Sequence, residues 1–462
     1  MSSKLIIATH DLLRELSTGP PLERAEYLLT SVKNNGRTPA VSGSFTGKDL
    51  DMLTERYLVG KKGTSDVTLN EALTIIANAL VLNRQLHATW DPHKAISKVL
   101  NESFQSSTDQ FHLVLLLRLL FLFTFNGLPY DERTIKTCLA VVASKIGQTS
   151  ANDARFIDTA DRQAFIECLK LTFNLLHFYS KQSVHYVQGY TAHDLVRIYF
   201  SLNPADPENV VLFQHISNCL LCLPVNAWLY DSDSLSIMER ILEFIEKMVH
   251  PKNDQLREDR ILSPPLSLVH SIVSDLFSPQ AEDLEDVREF VRSRVLPSDK
   301  DRERPLGQSD SLCSYLLKVT IDPVLRTSRN IIFDIFWKVS HESPDEFVQN
   351  FGLGFASSFL ASHGIAFPES VTTDPGSASS SGLASSSSGP RINPITGQFM
   401  DHEMRARNDS DPLQQPMTEE EKERDAERMF VLFERLNKSK SPIKVVNPVQ
   451  LAQQSGKLEH IN

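Results

Sequence analysis

The sequence predicts an all-α protein built as an α-solenoid, in which helical units stack one after another. From about residue 67 to residue 370, apolar segments of helical length alternate with short polar breaks. No segment between turn signals shows the apolar–polar alternation of a strand. Several of the helices also share one pattern of polar residues. Units that recur in this way bury their faces against their neighbours, as in helical repeat proteins.

The shared pattern is clearest in residues 164–180. This segment is apolar on most of its circumference, and its polar residues Glu167, Lys170, Asn174 and His177 follow at i, i+3, i+7 and i+10. That spacing places them on one stripe of a helix. We interpret the segment as a helix that is buried on nearly all sides and has one narrow polar ridge.

Two further segments resemble it. Residues 70–83 carry Glu71, Thr74 and Asn78 at the same i, i+3 and i+7 offsets, and residues 215–224 set Asn218 in an apolar run. Asparagine is a poor helix former, so its recurrence needs a reason. Each amide could bond a neighbouring helix, or it could meet the backbone of an incoming partner in a groove, since an amide both donates and accepts.

The composition divides the chain into three regions. We predict a helical repeat domain over 1–370 and a flexible linker over 371–390, where serine, glycine and alanine dominate. An extended C-terminal region, 391–462, then contains one helix at about 418–437. Thr418 and Glu421 form a capping-box pattern at the start of this helix.

The tail helix has a single apolar stripe. Met429, Phe430 and Phe433 belong to it, at helical spacing. An isolated amphipathic helix after a linker needs a surface to dock on. It either packs back on its own domain or contacts a partner through these three side chains.

The charge of the chain excludes several functions. The 462 residues carry a net charge of −11, which disfavours nucleic acid and anionic membrane surfaces as partners. The most apolar window, 111–125, is too short to span a bilayer and contains Arg118. We expect a cytoplasmic protein without an integral membrane segment.

Arg118 either pairs with an internal carboxylate or faces a groove and attracts an anionic group.

Motifs for catalysis, cofactors and metals fail on inspection. The glycines of 43–48 lack the spacing of a phosphate loop. Cys219 and Cys222 have no second ligand pair and lie in an apolar helix, and the five cysteines are expected to be buried free thiols. We therefore predict no catalytic residue, no cofactor and no metal. The function class that remains is recognition of another protein along the surface of the solenoid.

Several of these segments resemble the synembryn family, whose members are named for resistance to inhibitors of cholinesterase. The resemblance covers 117–124, 167–174 and 215–224, and it continues through the Gly352-Leu-Gly354 segment. Its most specific part is Ile392-Asn-Pro-Ile-Thr-Gly397 followed by the sequence from Pro416 to Glu423 and the apolar stripe of the tail helix. One departure is that a neutral Ser/Gly/Ala run replaces the acidic, phosphorylatable segment of animal members, which argues against phosphorylation there.

The resemblance implies a fold and a function. The fold is an armadillo/HEAT-like right-handed superhelix. The function is guanine-nucleotide exchange and folding assistance for G-protein α subunits (Gα), by release of GDP and stabilisation of the nucleotide-free subunit until GTP binds. The C-terminal helix of Gα would lie in the concave groove of a monomer, and Gα would recruit the protein to the cell cortex or plasma membrane. The alternatives are a repeat scaffold without exchange activity and, less well matched, an importin-like carrier.

The resemblance and the positions of the polar residues together predict the residues that bind the partner. Those expected to line the groove are Asn78, Arg118, Lys170, Asn174 and Asn218. Arg326 and Arg329 head a later helix whose family counterpart is basic. Met429, Phe430 and Phe433 of the tail helix would contact the α subunit away from the groove.

Overall fold

The computed structural model describes residues 2–59, 65–104, 110–127, 129–152, 159–187, 189–229, 234–278, 285–368 and 392–400. Over these ranges the protein is helical and contains no strand, which confirms the predicted all-α solenoid. The chain divides into two compact units, Met1–Gln398 and Phe399–Asn462. The linker 371–390 and the predicted tail helix, with Met429, Phe430 and Phe433, lie outside the described residues.

The helices have the following bounds. In the first half they are α1 Ser2–Ser17, α2 Leu22–Asn35, α3 Pro39–Ser42, α4 Gly47–Leu53, α5 Asp66–Leu82, α6 Leu86–Thr89, α7 His93–Phe104, α8 Gln110–Thr124, α9 Glu132–Ala151 and α10 Thr159–Phe178. In the second half they are α11 Ser180–Val187, α12 Tyr190–Ser201, α13 Val210–Leu221, α14 Ser234–Val249, α15 Asp259–Leu276, α16 Glu285–Val295, α17 Asp299–Arg302, α18 Leu312–Thr320, α19 Arg326–Val339 and α20 Pro344–Ser362. A π-helix, Thr54–Val59, precedes α5.

The helices of the first unit form two rows. The first row consists of α2, α5, α8, α10, α13, α15 and α19, and each of these packs against the next. In the second row, α7, α9, α12, α14 and α18 also pack consecutively. Most first-row helices rest on the second-row helix that precedes them, in the pairs α1–α2, α7–α8, α9–α10, α12–α13, α14–α15 and α18–α19. The π-helix fills this position for α5.

The inner first-row helices α5, α8, α10 and α13 are apolar nearly all round, because each packs against two first-row helices and one second-row element. In α8, the consecutive residues Val114, Leu115, Leu116 and Leu117 are all buried, although together they point in every direction around the helix. Only the side of the first row that faces away from the second row is open to solvent. A narrow polar stripe on each of these helices is enough to cover that side. The five cysteines are free thiols, and four of them are buried in this packing.

Helix α15 contains two prolines. It begins at Asp259, and Pro264 and Pro265 lie inside it. Both prolines lie beyond the first turn, so each removes one i to i−4 hydrogen bond from α15. The compact unit that contains α20 extends to Gln398, and residues 392–398 pack on α20.

Candidate functional site

Four of the predicted site residues lie on consecutive helices of the first row. Asn78 of α5, Arg118 of α8, Lys170 of α10 and Asn218 of α13 lie on consecutive first-row helices. All four side chains are half-buried, as expected of a stripe at the edge of a core. We call this set the polar ladder.

Glu167 lies at the centre of the ladder and joins two of its members. The Nε and Nη2 atoms of Arg118 donate to Oε1 of Glu167 at 3.1 and 2.9 Å, across the α8–α10 contact. The Nζ atom of Lys170 donates to the same oxygen at 3.2 Å. The carboxylate is 5% exposed, whereas the side chains of Arg118 and Lys170 are 40% and 30% exposed. Arg118 therefore pairs with an internal carboxylate, as the first of its two interpretations expects, and its side chain also reaches the surface.

The charges of this cluster do not cancel. Two cations share one buried carboxylate, so the surface keeps one net positive charge in a chain of net charge −11. The Nζ atom of Lys170 also lies 5.8 Å from the ring centroid of Phe121, which adds a cation–π contribution. An anionic group that approaches this face would meet guanidinium and ammonium donors already held in place.

Asn174 does not line the open face, and that prediction is wrong. Its side chain is 3% exposed, and its Nδ2 donates to the carbonyl oxygen of Phe121 at 3.0 Å and to Oγ1 of Thr124 at 3.2 Å. The structure thus realises the alternative in which the amide bonds a neighbouring helix. The reason is geometric, since Asn174 lies on the side of α10 that α8 covers.

Asn78 and Asn218 differ from Asn174. Both are half-buried, and among the described residues no hydrogen bond joins either amide to another group. Their amides are thus available to donate to and accept from the backbone of a partner.

One turn before Asn218, His215 lies close to Lys170 and Glu167. Burial and the positive charge of Lys170 lower the pKa of His215 to about 4, against a smaller opposing effect of Glu167, so this imidazole is neutral at physiological pH.

Arg326 and Arg329 lie on the first turn of α19. Arg326 is exposed, and Arg329 is half-buried beside a cavity of about 500 Å³ between α19 and α20. Asp334, Ser358, Ser362 and further residues complete the lining of this cavity. These arginines therefore form a second basic position near the end of the first row, several helices from the polar ladder.

Asp259 fixes the N-terminus of α19. Its Oδ2 accepts from the backbone N–H of Thr327 at 2.8 Å, and its Oδ1 accepts from the N–H of Ser328 at 2.8 Å and from the Ser328 hydroxyl at 2.7 Å. The carboxylate at the start of α15 thus caps the next first-row helix. The capped residues, Thr327 and Ser328, follow Asp259 by 68 and 69 positions in the sequence. It satisfies N–H groups that have no acceptor within α19.

Sequence reasoning missed Glu167 as the centre of the site, and also His215 and Asp259. A signal existed for Glu167, because a buried arginine in one apolar helix calls for a carboxylate in a neighbouring one. In the described ranges no three His, Cys, Asp or Glu side chains cluster as a metal site would require. No helix of those ranges is long and apolar enough to cross a bilayer.

Two rows of stacked helices define a helical repeat protein. The model of the family described as guanine nucleotide exchange factor synembryn matches residues 28–457. The chain belongs to this family, which confirms the resemblance seen in the sequence.

A curated relative gives a second comparison. The chain is 26% identical over 230 residues to a synembryn-like chaperone of Schizosaccharomyces pombe. The match covers 48% of this chain and 40% of the relative, so the chain spans about two fifths of the length of that protein.

Proposed function

We propose that the protein is a guanine-nucleotide exchange factor and folding chaperone for G-protein α subunits. It binds the GDP-bound or nascent subunit, promotes GDP release and holds the nucleotide-free subunit until GTP binds. Membership of the synembryn family supports exchange, and the name of the fission-yeast relative supports a chaperone role. It acts without covalent chemistry and without a cofactor.

The observation that carries the proposal is the shared carboxylate of Glu167. Because Arg118 and Lys170 both pair with it, the cluster is positively charged and still reaches the surface. A helix that ends in a free carboxylate, such as the C-terminal helix of Gα, would place its charge there. The amides of Asn78 and Asn218 flank this point on α5 and α13 and would bond the peptide backbone.

Exchange then follows from differential binding. A Gα subunit that has released its C-terminal helix from its own core holds GDP less well. A protein that binds the released helix stabilises that state and shifts the population toward it. GTP restores the competing conformation and ends the complex. The ladder needs only to bind the withdrawn helix more tightly than the packed one.

Other positions would add to this contact. The basic position on α19, formed by Arg326 and Arg329, would bind a second, acidic segment of Gα. The tail would bind Gα through the apolar stripe that contains Met429, Phe430 and Phe433. We further propose that the protein acts as a monomer in the cytoplasm and reaches the cell cortex or plasma membrane through Gα.

The test is the rate of GDP release from purified Gα with and without the full chain. We expect faster release and a stable nucleotide-free complex, and we expect both to be lost when Arg118 and Lys170 are replaced by alanine together. A matched control is Arg24→Ala with Lys94→Ala, which removes two cations that pair on the surface of other helices. No acceleration and no nucleotide-free complex would instead indicate a helical-repeat scaffold without exchange activity.

A deletion tests the role of the tail. The cut belongs after residue 400, because a cut at 391 also removes residues 392–398, which pack on α20. Weaker binding of Gα by this shortened chain would support the proposed tail contact, and unchanged affinity would contradict it.

A further inference from the structure

Helix α20 is interrupted at Gly352. This residue has φ +74° and ψ 155°, far from helical values, although the helix continues on both sides. An interruption of this kind removes i to i−4 hydrogen bonds and leaves N–H and C=O groups in need of partners. The groups concerned are the N–H groups of Leu353 and Gly354 and the carbonyls of Gln349 and Asn350, their i−4 partners in a regular helix.

Residues 393–398 form a closed turn that supplies two of these partners. The N–H of Gly397 donates to the carbonyl of Asn393 at 2.8 Å, and the N–H of Asn393 donates to the carbonyl of Gln398 at 2.7 Å. The side chain of Asn393 also accepts from the N–H of Ile395 at 2.8 Å. The turn therefore holds its own shape, and the carbonyls of Pro394 and Ile395 remain free to bond elsewhere.

Those carbonyls bond to the interrupted helix. The N–H of Leu353 donates to the carbonyl of Pro394 at 2.8 Å, and the N–H of Gly354 donates to the carbonyl of Ile395 at 3.1 Å. The pairing resembles the addition of a short peptide to the exposed edge of a β-sheet, where main-chain hydrogen bonds supply the affinity.

Arg302 completes the contact. It is 6% exposed, and its Nη1 donates to the carbonyl of Gly397 at 2.8 Å and to the carbonyl of Gln349 at 3.3 Å. One guanidinium nitrogen thus bridges the turn and the carbonyl left free by the interruption. Its neighbour Asp301 is also buried and accepts from the hydroxyls of Ser298 and Ser311, both at 2.7 Å. This network holds α17, and with it Arg302, in place.

The fit leaves no room for a side chain at Gly352, where backbone atoms of the turn block it, and at Gly397 a side chain would displace Leu306. A Cβ atom on Gly352 would lie 2.7 Å from the backbone nitrogen of Gly397 and 2.8 Å from the carbonyl oxygen of Ile395. A Cβ atom on Gly397, whose φ is +72°, would lie 2.5 Å from Cδ1 of Leu306. Both positions also have the positive φ that only glycine adopts without strain.

We propose that residues 392–398 are a tethered peptide ligand that caps the C-terminal end of the solenoid and is released locally, as a unit. The last unit of a helical array has no neighbour on one side and needs a cap. Here α20 packs on α19, and the turn closes the interruption that α20 leaves. The cap thereby orders the helix pair that carries Arg326 and Arg329. This proposal does not depend on the identity of the partner.

Hydrogen exchange of the full chain tests it, because Leu353 and Gly354 report on the docked turn through their own N–H groups. We expect Gly397→Ala and Gly352→Ala each to speed exchange at these two amides by roughly tenfold or more, given the usual cost of a strained backbone position. Exchange in α8 and α10 should stay unchanged. Arg302→Lys should act in the same direction, since lysine cannot reproduce the guanidinium bridge.

Gly364→Ala is the matched control. Its φ is +66°, and nothing lies within 4 Å of the position that a Cβ would take, so it introduces the same backbone strain without a clash against the turn. It should leave exchange at Leu353 and Gly354 unchanged. Unchanged exchange in the Gly397→Ala and Gly352→Ala variants would overturn the proposal. So would faster exchange spread evenly over all helices, since the turn would then be an inseparable part of the core.

Discussion

The side-chain amide of Asn174 caps the helix next to its own by donating to the carbonyl oxygen of Phe121 at 3.0 Å. Helix α8 ends at Thr124, so the Phe121 carbonyl is one of the last four of that helix and has no backbone donor within it. It accepts from the Thr124 hydroxyl at 3.0 Å, and the buried asparagine on α10 adds an N–H donor from the neighbouring helix. The contact joins two first-row helices at the level of the polar ladder.

Replacing Asn174 with alanine should therefore reduce stability and leave partner binding nearly unchanged. The substitution removes two buried hydrogen bonds, to the Phe121 carbonyl and to the Thr124 hydroxyl, a loss of about 1–3 kcal/mol. Chemical denaturation followed by circular dichroism measures it. Asn218→Ala is the counterpart, for which we expect a change in stability within about 0.5 kcal/mol and a weaker Gα complex. The reverse assignment of the two effects would contradict this account.

The contrast between the two asparagines marks how far sequence reasoning reaches. The period of apolar residues predicted the helices, and the positions of Arg118 and Lys170 on the open face followed from it. The period does not say which side of a helix a neighbour covers. Glu167, Lys170 and Asn174 belong to one predicted stripe, yet α8 covers the first and last of them and leaves Lys170 at the surface.

Contacts between distant parts of the chain could also not be predicted from the sequence. Asp259 caps a helix almost seventy residues later, and the 392–398 turn fills an interruption in α20. Both depend on the register of packed helices, which a single sequence does not reveal. The Gly352-Leu-Gly354 segment was visible as a motif, but its meaning depends on the turn that packs against it.

The Arg118–Glu167 pair should show a measurable coupling. Glu167→Gln leaves two cations without their carboxylate, and Arg118→Ala leaves a buried carboxylate with Lys170 alone. Each should destabilise the protein, by about 1–3 kcal/mol because the cations are partly exposed. The double variant should lose less than the sum, with a coupling energy of about 1 kcal/mol in a double-mutant cycle. Additive losses would show that the pair contributes nothing beyond its separate side chains.

Stability should fall as His215 becomes protonated. Burial and the charge of Lys170 lower its pKa to about 4 in the folded protein, below the value of about 6.5 for an exposed histidine. The neutral ring is therefore favoured in the fold. Its contribution is fully present above pH 6.5 and is lost as the pH falls toward 4, by about 3 kcal/mol at most.

Unfolding of the native protein and of His215→Gln at pH 7 and pH 4.5 measures this contribution. The native protein should lose more stability than the variant over this interval, since glutamine cannot be protonated there. Equal losses in the two proteins would assign the acid sensitivity to other groups.

Removal of the Asp259 carboxylate should loosen the start of α19. Although desolvation opposes it, the hydrogen bonds from Ser328 and Thr327 lower the pKa of Asp259. The capping stabilisation is therefore present above the pKa of an unfolded aspartate and is lost as the pH falls through the folded value. Asp259→Ala should cost about 1–2 kcal/mol near neutral pH, and Asp259→Asn should cost less because it keeps one acceptor oxygen. Denaturant unfolding gives the cost, and hydrogen exchange at Thr327 and Ser328 should speed up in the alanine variant. If exchange at these two amides stays slow in that variant, the N-terminus of α19 does not depend on the carboxylate.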